Sequence, residues 1–425
     1  PMTERLLQFI WQMQFFNKAD LLTTANESLR IIHPGQLNTN QGPDFQEASL
    51  KINTTTWAGN IELHVKASDW KLHRHDGDKN YRNIILHVVW ENDFTVRDEW
   101  GNQLPALVLE DRVSKILLHR YEELMHAQTA IPCSGSIAMA PELIWSSWKA
   151  RLVAERLQRK AQMVEQYVKE TNGHWEEVFW WLLARNFGIA VNSGAFEAIA
   201  RSLPVKTLAK HKHQIQQLES FLMGQAGLLD ADFEEDYPRM LQKEYRFYRK
   251  KYNFLPVHEP VHFLRMRPGN FPTIRLAQLA KLIEQSSHLF GKIKSASTLQ
   301  QLKQMLALTA NDYWHYHYRF DEVSSFKEKV LGRQMTDNII INTIIPVVFA
   351  YGYLKQEQPY KNKALRWLEE TTAEQNNITR QWTALGLVNN SAYDSQAYIE
   401  LLKTYCRGKN CLNCSIGAAI LKRSV

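Results

Sequence analysis

The sequence predicts an α+β protein, a small mixed-sheet domain followed by a large all-α domain, and three observations carry that prediction. Between residues 28 and 108, short runs alternate apolar and polar side chains with the period of two that suits a strand. Near residue 112 the period lengthens to about 3.6 and stays there. The helical part has no fixed repeat length, which argues against a solenoid. A chain of 425 residues exceeds one ordinary domain. The changes of pattern put a mixed domain at 1–128, a linker at 129–141 and a helical domain at 142–425.

The first element is a helix, with Leu6, Phe9 or Ile10, Met13 and Phe16 at helical spacing and Thr3 placed to cap it. SLRIIHPG (28–35) reads as a short strand ending in a Pro-Gly turn. DFQEASLKIN and WAGNIELHVKA form a hairpin joined at Thr54-Thr55-Thr56. After the polar stretch SDWKLHRHDGDKNYRN comes IILHVVW (84–90), a continuous apolar strand of the kind buried on both faces. FTVRDEWGNQLPALVL reads as a second hairpin turning near Gly101-Asn102. RVSKILLHRYEELM, the long ELIWSSWKARLVAERLQRKAQMVEQYVKE, HWEEVFWWLLARNF, AFEAIARSL and IRLAQLAKLIEQ are helical. The most apolar run, NIIINTIIPVVFAYGYL (338–354), is broken by Asn342, Thr343 and Pro346, which predicts a buried core helix and no membrane span.

Hydrophobic residues at 44% and charged residues at 22% exclude a disordered chain. The net charge of +7 is a modest excess, compatible with nucleic acid as a partner and with many other enzymes. The opening PMTERLLQFIWQMQFF lacks a cationic segment leading into an uninterrupted apolar core, so no signal peptide is expected. With only four cysteines, a reducing cytoplasm is the expected compartment.

Chemistry concentrates in IELHVKA. Its alternation sets Glu62, His64 and Lys66 in one row, with Ile61, Leu63 and Val65 on the other face. Pro43-Asp44 opens the preceding strand. The same letters are also what a solvated sheet face presents. The order helix, three strands, connection, strand, with acids at those two places, resembles the PD-(D/E)xK (restriction-endonuclease-like) superfamily over roughly residues 2–95. The resemblance implies a magnesium- or manganese-dependent nuclease in which Asp44 and Glu62 hold the metal. Two carboxylates from adjacent strands are suited to one hard cation that leaves room for a phosphate oxygen and a water. The superfamily's lysine, two residues after the acid, is His64 here, and Lys66 is one pleat further along. His64 as general base, or Lys66 reaching back, would handle the water. Glu4 stands where some members carry an additional acid. Over nearly the whole chain, GPDF, GNIELHVKASDW, H-x-HD, ILHVVW and the terminal cysteines also resemble an uncharacterised bacterial family known only as a domain of unknown function, of the DUF2851 type.

HRHDGD (73–78) begins like the H-x-H-x-D-H motif of metallo-β-lactamase-like hydrolases but lacks its final histidine and carries Asp76 one place early. His73, His75 and Asp76 are better read as bordering the acid pocket and supporting phosphate. His87, in the most apolar strand, reads as a hydrogen-bonded core histidine. Cys406, Cys411 and Cys414, spaced C-x4-C-x2-C, join Cys133 as a candidate four-thiolate set for zinc or an iron–sulfur cluster. The competing reading is four reduced thiols. RMLQKEYRFYRKKYNF (239–254) interleaves Arg246, Arg249, Lys250 and Lys251 with aromatic rings, the composition that holds single-stranded nucleic acid. A surface helix with its rings turned inward has the same composition.

The expected function is therefore a metal-dependent phosphodiesterase acting on nucleic acid. The alternatives are a catalytically inactive nucleic-acid-binding or scaffold protein with the same core, and, more weakly, a zinc hydrolase built on His64, His73, His75 and Asp76.

Overall fold

The computed structural model describes residues 2–423 apart from 74–78, 99, 265 and 287. The protein is a mixed α+β chain with its sheet near the N-terminus and a large helical region after it. Contacts divide it into two compact units, one of Pro1–Lys149 with Glu400–Val425 and one of Ala150–Ile399.

The first unit starts with α1 (Glu4–Met13), whose leading turn is capped by Thr3: the hydroxyl accepts the Leu6 N–H at 3.2 Å. Leu6, Leu7, Phe9, Ile10 and Trp11 are buried. The sheet contains β1 (Leu29–His33), β2 (Gln36–Leu37), β3 (Phe45–Ile52), β4 (Thr55–Lys66), β5 (Ile84–Glu91) and β6 (Ala106–Val108). Its order is β1-β3-β4-β5-β6, with β2 paired to β3. β1, β3 and β4 are antiparallel, whereas β4, β5 and β6 run parallel. The parallel step from β4 to β5 requires a crossover, which carries α2 (Asp69–Leu72).

The β3–β4 turn falls at Asn53, slightly before the three threonines. Asn53 takes φ = 53°, a left-handed conformation asparagine tolerates, and the β-branched Thr55 and Thr56 extend the strand. β5 is buried from Ile84 to Val89, as its apolar run predicts. The second expected hairpin is reduced to a bridge between Arg97 and Gln103, and its outgoing strand, β6, pairs in parallel with β5 instead. Pro105 accounts for the change. It has no N–H to continue the ladder, and its carbonyl accepts the His87 N–H at 2.8 Å.

Two irregularities adjust β3 and β4 near Asp44 and Glu62. β3 is bulged between Phe45 and Ala48, with Glu47 at φ = 58°. β4 shifts register against β5 beside Asn60, where Gly59 lies hard against the start of β5. A Cβ on Gly59 would stand 2.6 Å from both the Asn83 carbonyl oxygen and Ile85 Cγ2. Because that carbonyl already accepts the Asn60 N–H at 2.8 Å, it cannot retreat without loss. Gly59→Ala is expected to cost about 1–3 kcal/mol, read as a lowered urea midpoint.

The first unit continues through α3 (Lys115–His126) into α4 (Glu142–Glu170), along which the chain passes into the second unit. The second unit is almost entirely helical, with one small sheet, His317–Arg319 paired to Glu322–Val323. The apolar run at 338–354 lies in a continuous helix, Arg333–Leu354, the one described helix long and apolar enough to cross a membrane. Its apolar window is 67% buried within the protein. A π-helical turn at Ile340–Ile344 precedes Pro346 and makes room for a residue that has no N–H to donate. The C-terminal segment adds a short helix, Ser415–Lys422, to the first unit.

Candidate functional site

β3 and β4 bring Asp44 and Glu62 together. Phe45 pairs with Ile61, so Asp44 stands across from Glu62. The two are linked in both directions. The Asp44 N–H donates to Glu62 Oε2 at 3.1 Å, and the Leu63 N–H donates to Asp44 Oδ2 at 3.0 Å. Gln8 reaches over from α1 to donate to Asp44 Oδ1 at 2.8 Å. Burial pushes the Asp44 carboxyl up to about 7, and the Glu62 charge adds to the rise. Glu4, in the first turn of α1, pushes the same way, while the bonds from Leu63 and Gln8 oppose it. Two acids this close resist carrying two charges unless a cation joins them.

Beside the acids runs a chain of three imidazoles. The parallel register sets His87 of β5 next to Glu62, and His64 lies two residues further along β4. His64 is wholly buried, with Nδ1 2.8 Å from His87 Nε2 and Nε2 3.1 Å from His73 Nδ1. Its Nε2 is also 3.8 Å from Glu62 Oε1. Trp70 of α2 packs edge-on to His64 and His87, with ring centroids 6.1 and 5.2 Å away. His87 is buried while His73 is exposed, so the chain leads from the interior to the surface. Each imidazole–imidazole bond needs one N–H and one lone pair, so the tautomer of one ring dictates that of the next. Inverting all three passes a proton along the row.

The polar face of β4 is thus not a solvated one: Glu62 is only 4% exposed. Lys66, beyond the buried part of the strand, lies at the surface with Nζ 3.4 Å from Glu91 Oε2, both side chains half exposed. His75 and Asp76 lie outside the described residues. Nothing in the sequence attaches Gln8 or Trp70 to the site, whereas His87 is the buried, hydrogen-bonded histidine that its apolar strand predicts. The signal for His87 was its place opposite Glu62, visible only once the β4–β5 register is known.

The four cysteines all lie in the first unit and all are buried. The turn Ser134–Met139 after Cys133 packs on the helix Ser415–Lys422 that follows Cys414. Cys406 ends a π-helical turn, Leu401–Cys406, which packs on the turn that begins at Cys411. Burial pushes Cys133 up to about 12, and Cys414 and Cys411 raise it further; burial and Cys414 push Cys411 up to about 11. Cys406 is raised by burial and then by the other three sulfurs. Burial also raises Cys414, which stands at the N-cap of the helix Ser415–Lys422. Among the described residues, no group of three or more His, Cys, Asp or Glu side chains stands ready-arranged around one cation position.

In the second unit, helix Asp236–Tyr252 keeps Arg246, Arg249, Lys250 and Lys251 exposed. Its tyrosines are engaged: Tyr245 donates to Gln225 Oε1 at 2.6 Å, Tyr248 accepts from Gln217, and Tyr252 meets His211 Nε2 at 2.8 Å. Phe247 remains exposed. The helix therefore presents its cations and one ring to solvent.

No curated protein and no solved structure matches the chain. The pattern of the family described as "Protein of unknown function (DUF2851)" matches residues 4–377, most of the length, and the chain belongs to that family.

Proposed function

We propose that the first unit is a divalent-metal-dependent phosphodiesterase acting on nucleic acid, with a PD-(D/E)xK-like core. The observation that carries this reading is the Asp44–Glu62 pair, crossed by hydrogen bonds and set beside the buried imidazoles of His64 and His87. Oxygen donors from two carboxylates suit magnesium or manganese, and a carboxyl held up to about 7 by burial and then by its acidic neighbour gains from a cation. Held by Asp44 and Glu62, such an ion supplies charge neutralisation at a phosphodiester and a more acidic water. The chain's own part is proton handling. His64 stands at the superfamily's lysine position, and the row it shares with His87 and His73 would carry the proton the water releases out to solvent. The exposed cations of helix Asp236–Tyr252 are a second candidate contact to phosphate.

A rival reading keeps nucleic-acid binding without cleavage. It rests on the absence of a lysine at position 64 and on the Lys66–Glu91 pairing, which gives Lys66 a partner away from the acids. One titration and one assay separate the readings. Mn²⁺ is expected to bind the native chain and to bind the Asp44→Ala, Glu62→Ala double variant at least about tenfold more weakly, a loss of ~1.4 kcal/mol or more. Equal binding by both proteins overturns the acid-pair assignment. Cleavage of DNA or RNA with Mn²⁺ supports the enzyme, whereas salt-sensitive binding with intact product supports the rival.

A further inference from the structure

We infer that Cys133, Cys406, Cys411 and Cys414 together bind a thiophilic metal centre, a zinc ion or an iron–sulfur cluster, which fastens the C-terminal segment onto the first unit.

The chain has four cysteines, all four are buried, and the short elements that carry them pack on one another. Cysteines used singly as small apolar core residues have no reason to collect. Here three come from the last segment of the chain and one from the connection between α3 and α4. Each stands at the end of a short element: Cys133 before the turn Ser134–Met139, Cys406 at the end of a π-helical turn, Cys411 opening a 3-10 turn, and Cys414 at the cap of the last helix. Element ends leave side chains free to swing toward a common point, which mid-helix positions do not.

The surroundings suit thiolate. Cys414 stands at the N-cap of the last helix, whose dipole favours a thiolate there. Trp148 packs edge-on against Tyr405 at 5.1 Å and helps close the site to water. Gly417 lets the last helix approach closely, because a Cβ there would lie 2.2 Å from the Cys411 carbonyl oxygen. The loop between Cys406 and Cys411 is tied down from both sides: Lys409 Nζ donates to the Met125 carbonyl at 2.5 Å, and Arg5 donates to Asn410. A four-sulfur set fits tetrahedral zinc or a cubane cluster, and excludes the hard cations proposed for the carboxylate pair.

The test uses the full chain purified without oxygen. Elemental analysis is expected to find about one zinc, or iron with matching acid-labile sulfide and a broad visible absorption, per chain. The first result names zinc and the second a cluster, and each supports the centre. Cys133→Ala and Cys411→Ala are each expected to lose that metal. The Asp44→Ala, Glu62→Ala double variant should retain it, which separates this centre from the acid pair. Should the cysteine variants fold poorly, Co²⁺ added to metal-stripped native chain should give an intense sulfur-to-cobalt charge-transfer band, and zinc should shield all four thiols from alkylation. A chain that carries neither metal, gives no cobalt band and leaves its thiols equally reactive with and without zinc overturns the inference.

Discussion

Replacing His64 with alanine is expected to lower the rate of phosphodiester cleavage by roughly 10²–10⁴-fold, the usual contribution of a positioned acid–base group. The fall should appear in kcat with KM little changed, since His64 is wholly buried beside Glu62 and has no exposed surface to offer a substrate. Mn²⁺ binding should survive, because both carboxylates and their crossed hydrogen bonds remain. Removing a wholly buried ring also leaves a cavity beside Trp70 and His87, so rate loss alone would not separate chemistry from packing. Added imidazole does. It should restore part of the activity of the alanine variant by filling the gap and rejoining the proton row, whereas a purely structural defect would not respond to a base. His73→Ala offers a second control. Its side chain is exposed, so the fold should be indifferent while proton exchange with solvent slows. Wild-type rates in both variants would remove the imidazole row from the mechanism.

Much of this site was legible in the letters, and the remainder was not for identifiable reasons. IELHVKA had the right strand and the right pair of faces, because a period of two is a local property. That its polar face is buried was not local. It depends on α2 carrying Trp70 over the face and on β5 setting His87 beside Glu62. The parallel pairing of β6 hung on Pro105 lacking a donor, a single residue inside what looked like a hairpin. In helix Asp236–Tyr252 the sequence showed cations and rings together but not their directions; three tyrosines turn to His211, Gln217 and Gln225, and the cations face solvent. The cysteine spacing was visible from the start, whereas the approach of Cys133 required the fold.

Glu219 gave no signal in the sequence, yet it carries the largest stability effect expected here. It sits in QQLESFL, on helix Ile215–Gln225, and is wholly buried. Tyr237 donates to its Oε2 at 2.7 Å and Trp314 at 3.0 Å, while Oε1 has no hydrogen-bond partner among the described residues. Burial raises its carboxyl from 4.5 to about 7, against the two donors. The folded chain therefore holds this proton more tightly than the unfolded chain does. Stability from this group is complete below the unfolded value of 4.5 and drains away as pH rises through about 7. The difference corresponds to about 3 kcal/mol between pH 5 and pH 8. Glu219→Gln keeps an oxygen for Tyr237 and Trp314 but has no proton to lose. Its urea midpoint should fall less than that of the native chain between those two pH values, and at pH 8 it should be the more stable protein. Asp44, also held up to about 7, titrates in both proteins and cancels in the comparison. If the two chains lose stability in parallel as pH rises, Glu219 is already ionised in the fold, and its charge must be met by groups such as Lys281, which lowers it.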